Sequence, residues 1–386
     1  MIAFKLMPKN ILIAPNAFKH SLSATEASQI IKNTFDSLGL NCELAPIADG
    51  GDGTIDVLNF YFPDSQFINT KVHDPLMRQI NSCWLLLKNK TAVIELARSS
   101  GIALFKQDEL DPFKANTFGT GELILSALNY GCRKIILTVG GSATIDAGLG
   151  IMSALGVTLY DQLSNQLSPC YENLKLIEKI DFSSLSLEIS NCEFSVLCDV
   201  QNCLVSKEGV VKFALQKGFS KSALDEIERN INQYAKSAIK ISGKDFQLEP
   251  MTGAAGGVPF SLKTFFNAKL FPAFLFLADI INLEKKIEKS DLVITGEGSL
   301  DSQSLMGKGV IELAKLSKKY GKKVIVFCGS FDETINWKEH FIDHVIKINP
   351  NGLPLEESIK SVKKLLETAV IKSNQLFRDY KNLQNH

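Results

Sequence analysis

The stretch from Asp291 to Lys308 constrains the fold more than any other part of the chain, because its character changes twice over a short distance. It begins with the apolar residues 292–294, which are typical of a short buried strand. Gly296 and Gly298 then interrupt the pattern, and apolar residues at helical spacing resume at Val310. The sequence therefore predicts a strand, a glycine-rich break and a helix, an arrangement that binds anions at the carboxyl edge of a parallel sheet. The alternative is an ordinary strand-to-helix connection in any α/β protein.

The break concentrates polar side chains without completing a familiar nucleotide motif. Its polar residues are Glu297, Asp301, Ser302, Gln303 and Ser304. Gly307–Lys308 lacks the upstream glycine and the following hydroxyl of a P-loop, and Asp301 stands where a dinucleotide fingerprint needs its third glycine. No serine lies in the GxSxG pattern of a hydrolase nucleophile. A P-loop NTPase and a nicotinamide dehydrogenase are therefore poorly supported.

The beginning of the chain predicts a second ligand-binding turn. Residues 11–14 are apolar, a capping box at Ser23–Glu26 begins a helix, and residues 42–47 form a second strand. This order predicts a right-handed βαβ unit. Lys19 lies in its first strand-to-helix turn, where ligands of such sheets bind, although a solvated loop lysine is the alternative.

The second strand ends in the turn Ala48–Thr54, which contains three glycines and two aspartates. With so few side chains to pack, backbone N–H groups or the carboxylate of Asp49 can approach a ligand or a metal ion closely. The alternating acidic residues and the distal glutamate of an EF-hand loop are absent. We therefore interpret this turn as a contact for a ligand or a metal ion of another kind.

Residues 66–104 alternate between apolar and polar and are divided by short turns, one of which carries Arg78. This pattern predicts an antiparallel meander and a change of domain near residue 70. Residues 134–139 form the next strand and lead into Gly140–Gly150. There we predict a helix start, with the Ser142 and Thr144 hydroxyls and free N–H groups suited to a phosphate. The alternative is a turn of small residues capped by serine.

A further strand at residues 194–200 carries Asp199 at its end, and Asn202 follows. Asp199 is expected near a ligand, or alternatively as a cap of a local turn. Met251–Gly257 is a third glycine-rich turn. The very apolar residues 260–283 are expected in the core and at a candidate subunit interface. The remaining periodicity predicts helices over 207–218, 222–240 and 354–377, and strands over 324–328 and 345–348.

Composition limits the class of protein and its partners. The 386 residues are enough for two domains. Lys plus Arg and Asp plus Glu number 42 each, which gives no indication of a broad nucleic-acid or membrane surface. The eight cysteines form no CxxC pair and no zinc spacing, so reduced core thiols are expected. The sequence begins without a signal-peptide pattern and has no long apolar run, and the predicted location is the cytoplasm.

Taken together, these segments resemble the type I glycerate kinase family over nearly the full chain. The resemblance rests on seven blocks in the family's order, which are Pro15–Ala24, Ala48–Thr54, Thr117–Ile124, Gly140–Asp146, Cys198–Asn202, Gly253–Gly257, and Thr295–Gln303 with Gly307–Lys308. Departures occur at Asn16 and Ala17, where the family usually has Asp-Ser, and at His20, Ile145 and Cys203. These departures bear on substrate placement more than on the reaction.

The resemblance implies ATP-dependent phosphorylation of D-glycerate on the 2-hydroxyl, with Mg²⁺. It also implies an α/β fold in two domains with the active site in the cleft between them. A Rossmann-like parallel-sheet domain would be built from both chain ends (1–70 and 285–386), and a mixed-sheet α/β domain (71–284) would be inserted, with 134–150 assignable to either. A homodimer is one expected assembly. A glycerate 3-kinase, a kinase of another small hydroxy acid and a non-catalytic nucleotide or sugar-acid binding protein stay open as alternatives.

Roles for individual residues follow from their chemistry and from the resemblance. Asp199 is the leading candidate for the base and Asp49 the second, and a carboxylate of the substrate calls for Lys19 or Arg78. The full expectation is catalysis by Asp199, Asp49 and Lys19; substrate binding by Lys19, Arg78 and Asn202; phosphate binding by Gly141, Ser142, Ala143, Thr144, Gly256, Gly296, Gly298 and Lys308; and metal contact by Asp49, Asp199, Glu297 and Asp301. Asp301 is alternatively a helix cap.

Overall fold

The computed structural model describes residues 8–382 except His20, 107–108, 207–208, Lys308 and 350–352, with the side chains of Met306 and 374–382 also excluded. The chain forms two compact units. The first contains both chain ends, up to Asp49 and from Phe274 onward, together with Asp56–Tyr61. The second contains Gly50–Ile55 and Phe62–Ala273.

The strands, in chain order, are β1 (Asn10–Ile13), β2 (Asn41–Leu44), β3 (Gln66–His73), β4 (Gln79–Leu86), β5 (Thr91–Glu95), β6 (Lys134–Thr138), β7 (Thr158–Tyr160), β8 (Lys179–Asp181), β9 (Glu193–Cys198), β10 (Lys269–Pro272), β11 (Leu292–Leu300), β12 (Lys323–Phe331) and β13 (His344–Lys347).

The α-helices are α1 (Ala24–Ser37), α2 (Thr54–Tyr61), α3 (Ala97–Ser100), α4 (Phe118–Asn129), α5 (Leu149–Ala154), α6 (Leu224–Ser242), α7 (Val258–Phe266), α8 (Ala273–Ile280), α9 (Leu283–Lys289), α10 (Gly309–Lys319), α11 (Leu355–Lys360) and α12 (Val362–Asn382). Short 3-10 helices cover Ile102–Leu104, Tyr171–Leu176, Leu187–Asn191, Val210–Phe213, Leu215–Lys217, Lys221–Ala223, Ala254–Gly257, Ser304–Met306 and Trp337–His340. None of the helices within the described ranges is long and apolar enough to cross a membrane.

The first unit contains a parallel sheet in the order β13-β12-β11-β1-β2. Strands from both chain ends therefore meet in one sheet, which confirms the predicted α/β architecture. The buried residues of β1 and β11 align, with Ile11 opposite Leu292 and Ile13 opposite Ile294. The capping box predicted at Ser23 is present, and its hydroxyl accepts a hydrogen bond from the Glu26 amide at the start of α1.

The prediction that a glycine-rich break ends the strand after residue 294 was wrong, because β11 continues through Gly296 and Gly298 to Leu300. A Cβ on Gly296 would lie 2.6 Å from the Phe327 carbonyl oxygen and 2.9 Å from the Phe18 ring. The glycine therefore makes room for neighbours inside a strand rather than ending it. The helix predicted after the break is present and begins at Gly309.

The second unit contains a mixed sheet in the order β10-β9-β6-β5-β4-β3. The β3-β4-β5 pairs are antiparallel, as predicted, whereas β5, β6, β9 and β10 run parallel. The strand at 134–138 thus belongs to this sheet, a point on which the sequence was ambiguous. Apart from Gly50–Ile55, this unit begins at Phe62, before β3, whereas the sequence predicted a change near residue 70. The reason is that β3 pairs with β4 along its whole length.

Three predicted helices differ in the structure. The segment after β6 stays irregular, and α5 begins only at Leu149. Residues 207–218 were predicted as one helix, but the described part contains two 3-10 turns that end at Gly218, whose φ is 91°. The closing helix is divided at Ser361 into α11 and α12. The helix predicted over 222–240 is present as α6.

Candidate active site

In the first unit, polar side chains lie just beyond the carboxyl ends of β1 and β2. The Asn16 amide nitrogen (Nδ2) donates a hydrogen bond of 2.8 Å to the Asp49 carboxylate (Oδ2). Gly309 lies against both, since a Cβ there would be 3.3 Å from Asn16 Nδ2 and 3.5 Å from the Asp49 Cβ. The carboxylate of Asp49 is therefore held beside the first residue of α10, where the helix dipole favours negative charge.

The two acidic residues on and after β11 have different surroundings. Glu297 is buried and accepts a hydrogen bond of 2.9 Å from the Ser304 hydroxyl. Asp301 accepts hydrogen bonds from the backbone amides of Gln303 (2.8 Å) and Ser304 (3.2 Å). Asp301 thus stabilises its own turn, which is the capping role that the sequence had left as its alternative.

Lys19 lies next to the glycines of β11. Its backbone nitrogen would be 3.4 Å from a Cβ on Gly298, and its own side chain is exposed. The structure thus brings the Lys19 backbone close to Gly298, while the neighbouring Phe18 ring packs against Gly296. The predicted phosphate contact Lys308 lies outside the described residues.

In the second unit, three loops meet around two glycines of the turn Met251–Gly257. A Cβ on Gly256 would lie 2.2 Å from the Thr144 carbonyl oxygen, which belongs to the loop after β6. A Cβ on Gly253 would lie 2.2 Å from the Cys203 carbonyl oxygen and 2.6 Å from Asn202 Nδ2, in the loop after β9. Only glycine permits this contact, so the sequence-predicted Thr144, Asn202 and Gly256 are brought together at the carboxyl ends of two parallel strands.

The loop after β6 is held mainly through its backbone. The Gly140 amide donates to the Gly50 carbonyl oxygen (3.1 Å), and the Ala143 amide donates to the Ser100 carbonyl oxygen (2.9 Å). The expected helix start with free amides was therefore wrong at Ala143, since its amide is already used. A Cβ on Gly141 would lie 3.4 Å from the Asp52 carboxylate, which the sequence placed in a glycine-rich turn without assigning it a role.

The Asp146 carboxylate stabilises this loop from within the core. It is fully buried and accepts hydrogen bonds from the Thr117 amide and hydroxyl and from the amides of Gly148 and Gly150. Burial raises the pKa of the Asp146 carboxyl, and these hydrogen bonds oppose that shift. The match of Asp146 to the resembled family therefore corresponds to a structural position.

Three buried polar atoms in these loops have no hydrogen-bond partner among the described residues. They are the Thr144 hydroxyl and both amide atoms of Asn202. An unpaired buried polar group costs about 1–3 kcal/mol, so native proteins keep few of them. Their presence in two sequence-predicted ligand loops indicates groups reserved for a polar ligand.

Sequence reasoning missed Lys217, which enters the same region. Its side chain is only 6% exposed, and its ammonium (Nζ) donates to the Ser142 hydroxyl (2.6 Å) and to the Thr144 carbonyl oxygen (2.8 Å). Burial lowers the pKa of Lys217 to about 7, and the carboxylates of Asp146 and Asp199 oppose that shift. The signal in the sequence was a single lysine between the apolar Ala214 and Phe219, both of which are buried.

Arg78 is paired within its own turn. Its Nε atom donates 2.5 Å to the Asp74 carboxylate, whose side chain is 2% exposed, and its guanidinium lies 3.9 Å from Glu109. The guanidinium also lies over the Phe105 ring, 4.9 Å from its centre. These contacts hold Arg78 on the β3–β4 turn and do not connect it to the loop after β6.

The acidic residues suit a hard cation. Asp49 in the first unit and Asp199 in the second each supply a carboxylate, the kind of ligand that Mg²⁺ prefers, and Mg²⁺ is commonly bound through one or two carboxylates together with substrate phosphates. Across the described residues, no group of three or more His, Cys, Asp or Glu side chains could hold a metal ion by itself. Either carboxylate by itself therefore fits a Mg²⁺ ion that arrives with a nucleotide.

The chain is similar in sequence and in structure to proteins of one known family. Residues 11–378 match the model of the glycerate kinase family. A protein from Escherichia coli (strain K12) named glycerate 2-kinase is 37% identical, over 91% of this chain and 93% of its own length. A protein from Bacillus subtilis (strain 168) named glycerate kinase is 36% identical, over 92% and 94%. A crystal structure from Salmonella typhimurium LT2, provisionally named glycerate kinase 2, superposes with a TM-score of 0.80 at 32% identity, covering 99% of this chain and 100% of that one.

Proposed function

Because this chain belongs to the glycerate kinase family, we propose that it transfers the γ-phosphoryl group of ATP to the 2-hydroxyl of D-glycerate, forming 2-phosphoglycerate and ADP. The observation that carries the proposal is the family match over residues 11–378. The choice of the 2-hydroxyl is supported by the similarity to the Escherichia coli protein named glycerate 2-kinase.

Phosphoryl transfer requires positioning, neutralisation of phosphate charge and a group that accepts the hydroxyl proton. When bound, Mg²⁺ would neutralise charge on the β- and γ-phosphates, with Asp199 or Asp49 among its ligands. In our proposal Asp199 accepts the proton of the 2-hydroxyl as that oxygen bonds to the γ-phosphorus and the bond to ADP breaks. The Thr144 hydroxyl and the Asn202 amide provide hydrogen bonds to the ligand, since both are buried without partners among the described residues.

The first test identifies both the acceptor and the product. Purified protein with Mg·ATP and D-glycerate should release ADP, and the product should be converted by enolase and pyruvate kinase without added phosphoglycerate mutase. A product that requires the mutase would indicate the 3-hydroxyl. ADP release only with another hydroxy acid would overturn the substrate, and binding of ATP without turnover of any acceptor would favour the binding-protein alternative.

We expect the carboxylate of glycerate to be bound by Lys19 rather than Arg78, although the sequence alone left both open. Arg78 already pairs with the buried Asp74, whereas the Lys19 side chain is exposed at the edge of the sheet. Loss of a charge-assisted contact costs roughly 1.5–3 kcal/mol, or about one to two decades in affinity.

Lys19→Ala should therefore raise KM for glycerate by about one to two decades while changing KM for ATP little. Arg78→Ala is the matched comparison, and it should alter thermal stability more than glycerate kinetics because it removes the charged partner of the buried Asp74 carboxylate. Steady-state kinetics with each substrate varied in turn measures both. If Arg78→Ala raised KM for glycerate and Lys19→Ala did not, the assignment would reverse, and unchanged kinetics in both would remove it.

A further inference from the structure

Lys217 is a buried lysine for which the proposed reaction has no use. It lies between Ala214 and Phe219, both of which are buried, on a short 3-10 turn that ends at Gly218. Burying an ammonium group is costly unless hydrogen bonds and opposite charges compensate. An apolar side chain of similar shape would avoid that cost, so the buried amino group requires an explanation.

The hydrogen bonds of Lys217 connect it to the loop predicted to bind phosphate. Its ammonium donates 2.6 Å to the Ser142 hydroxyl and 2.8 Å to the Thr144 carbonyl oxygen. Between these residues, the Ala143 amide donates to Ser100. Lys217 and Ser100 therefore fix three consecutive residues of the loop.

The same contacts determine which polar groups of Thr144 are available to a ligand. The Thr144 carbonyl oxygen is covered by Lys217 and lies against Gly256, while the Thr144 hydroxyl is buried without a partner among the described residues. Holding this backbone fixes the position of the Thr144 Cβ, and a β-branched side chain has few χ1 rotamers, so the hydroxyl has few available positions. Such preorganised donors contribute to catalysis because they need no reorganisation during the reaction.

We propose that Lys217 is a positioning residue for phosphoryl transfer, which fixes Ser142 and Thr144 so that the Thr144 hydroxyl faces the anionic ligand. This proposal depends on the proposed kinase function. Lys217 acts through its neighbours, because its ammonium is buried and bonded to the loop.

The test compares Lys217→Met, which keeps approximate length and removes the hydrogen-bond donor, with Lys217→Arg, which keeps a donor. Lys221→Met is the control, since Lys221 is exposed and only four positions away. We expect Lys217→Met to lower kcat by about 10–100-fold, the range usual for groups that orient a ligand-binding residue. Lys217→Arg should recover part of that loss, and Lys221→Met should match the wild type. A loss below about tenfold in Lys217→Met, or equal losses in Met and Arg variants, would overturn the proposal.

Thr144→Val covers the case in which Lys217→Met does not fold. This change removes only the unpaired hydroxyl, so the protein should melt no lower than the wild type while kcat falls. Full activity in Thr144→Val would contradict the role given to Lys217. If the wild type phosphorylates no acceptor, the proposed function fails independently of Lys217. The role of Lys217 can then still be tested by measuring the affinity for Mg·ATP by calorimetry. Binding at least about tenfold weaker in Lys217→Met than in the wild type would support its role, and equal binding would overturn it.

Discussion

Replacing Asp199 with Asn is expected to lower kcat at least about 100-fold, the low end for general-base catalysis, while the melting temperature changes little. Asp199 directly follows β9, and Asn202, three residues later, has a buried amide with no hydrogen-bond partner in the described part of the chain. The change keeps the shape of the side chain and removes the oxygen that accepts the proton. Rapid-quench or steady-state measurement of kcat at saturating Mg·ATP and glycerate gives the effect.

A metal ligand at this position would behave differently from a base. Its loss would raise the Mg²⁺ concentration needed for activity, and excess Mg²⁺ or Mn²⁺ would restore part of the rate. Asp225→Asn is a suitable control, because Asp225 is exposed in the first turn of α6. If Asp199→Asn keeps more than about a tenth of kcat at saturating metal, Asp199 is not the base. Asp49, held by Asn16 at 2.8 Å, would then be the candidate.

Replacing Gly256 with Ala is expected to destabilise the protein far more than the same change at Gly243. Both glycines have a left-handed backbone, with φ of 69° and 70°. A Cβ on Gly243 meets nothing within 4 Å, whereas one on Gly256 would lie 2.2 Å from the Thr144 carbonyl oxygen. Gly243→Ala therefore measures the backbone cost alone, about 1–2 kcal/mol. Gly256→Ala adds overpacking, for a total of about 2–5 kcal/mol.

The same pair of variants tests whether the turn 251–257 supports the ligand loop. Displacing the Thr144 carbonyl oxygen should also break its hydrogen bond to Lys217, so Gly256→Ala should lose activity in the fraction that still folds. Chemical denaturation gives the two unfolding free energies, and kcat is measured well below each midpoint. Equal destabilisation by Gly256→Ala and Gly243→Ala would show that the turn 251–257 can accommodate a Cβ at Gly256, and it would contradict the packing argument.

Much of the fold could be predicted because the strands leave a local signal. Short apolar runs near residues 11, 42, 292, 324 and 345 were each bounded by polar or glycine residues, and all five lie in the parallel sheet. The same signal misled at Gly296 and Gly298, where glycines in the middle of a strand resemble a turn. A glycine can end a strand or admit a neighbour, and the distinction depends on the Phe18 and Phe327 contacts, which are distant in sequence.

For the candidate site, local sequence patterns identified which loops carry polar groups, because each of these loops followed an apolar strand and two of them were rich in glycine. They identified Asp49, Thr144, Asp199 and Asn202 on that basis. Only the tertiary structure revealed that Lys217 is bonded to Ser142 and Thr144, that Arg78 is paired with Asp74, and that Asp146 is a buried anchor. Periodicity and spacing report how a segment meets its immediate neighbours in the chain. The pairing of a buried charge depends on groups that folding brings from tens of residues away, and no local pattern encodes that.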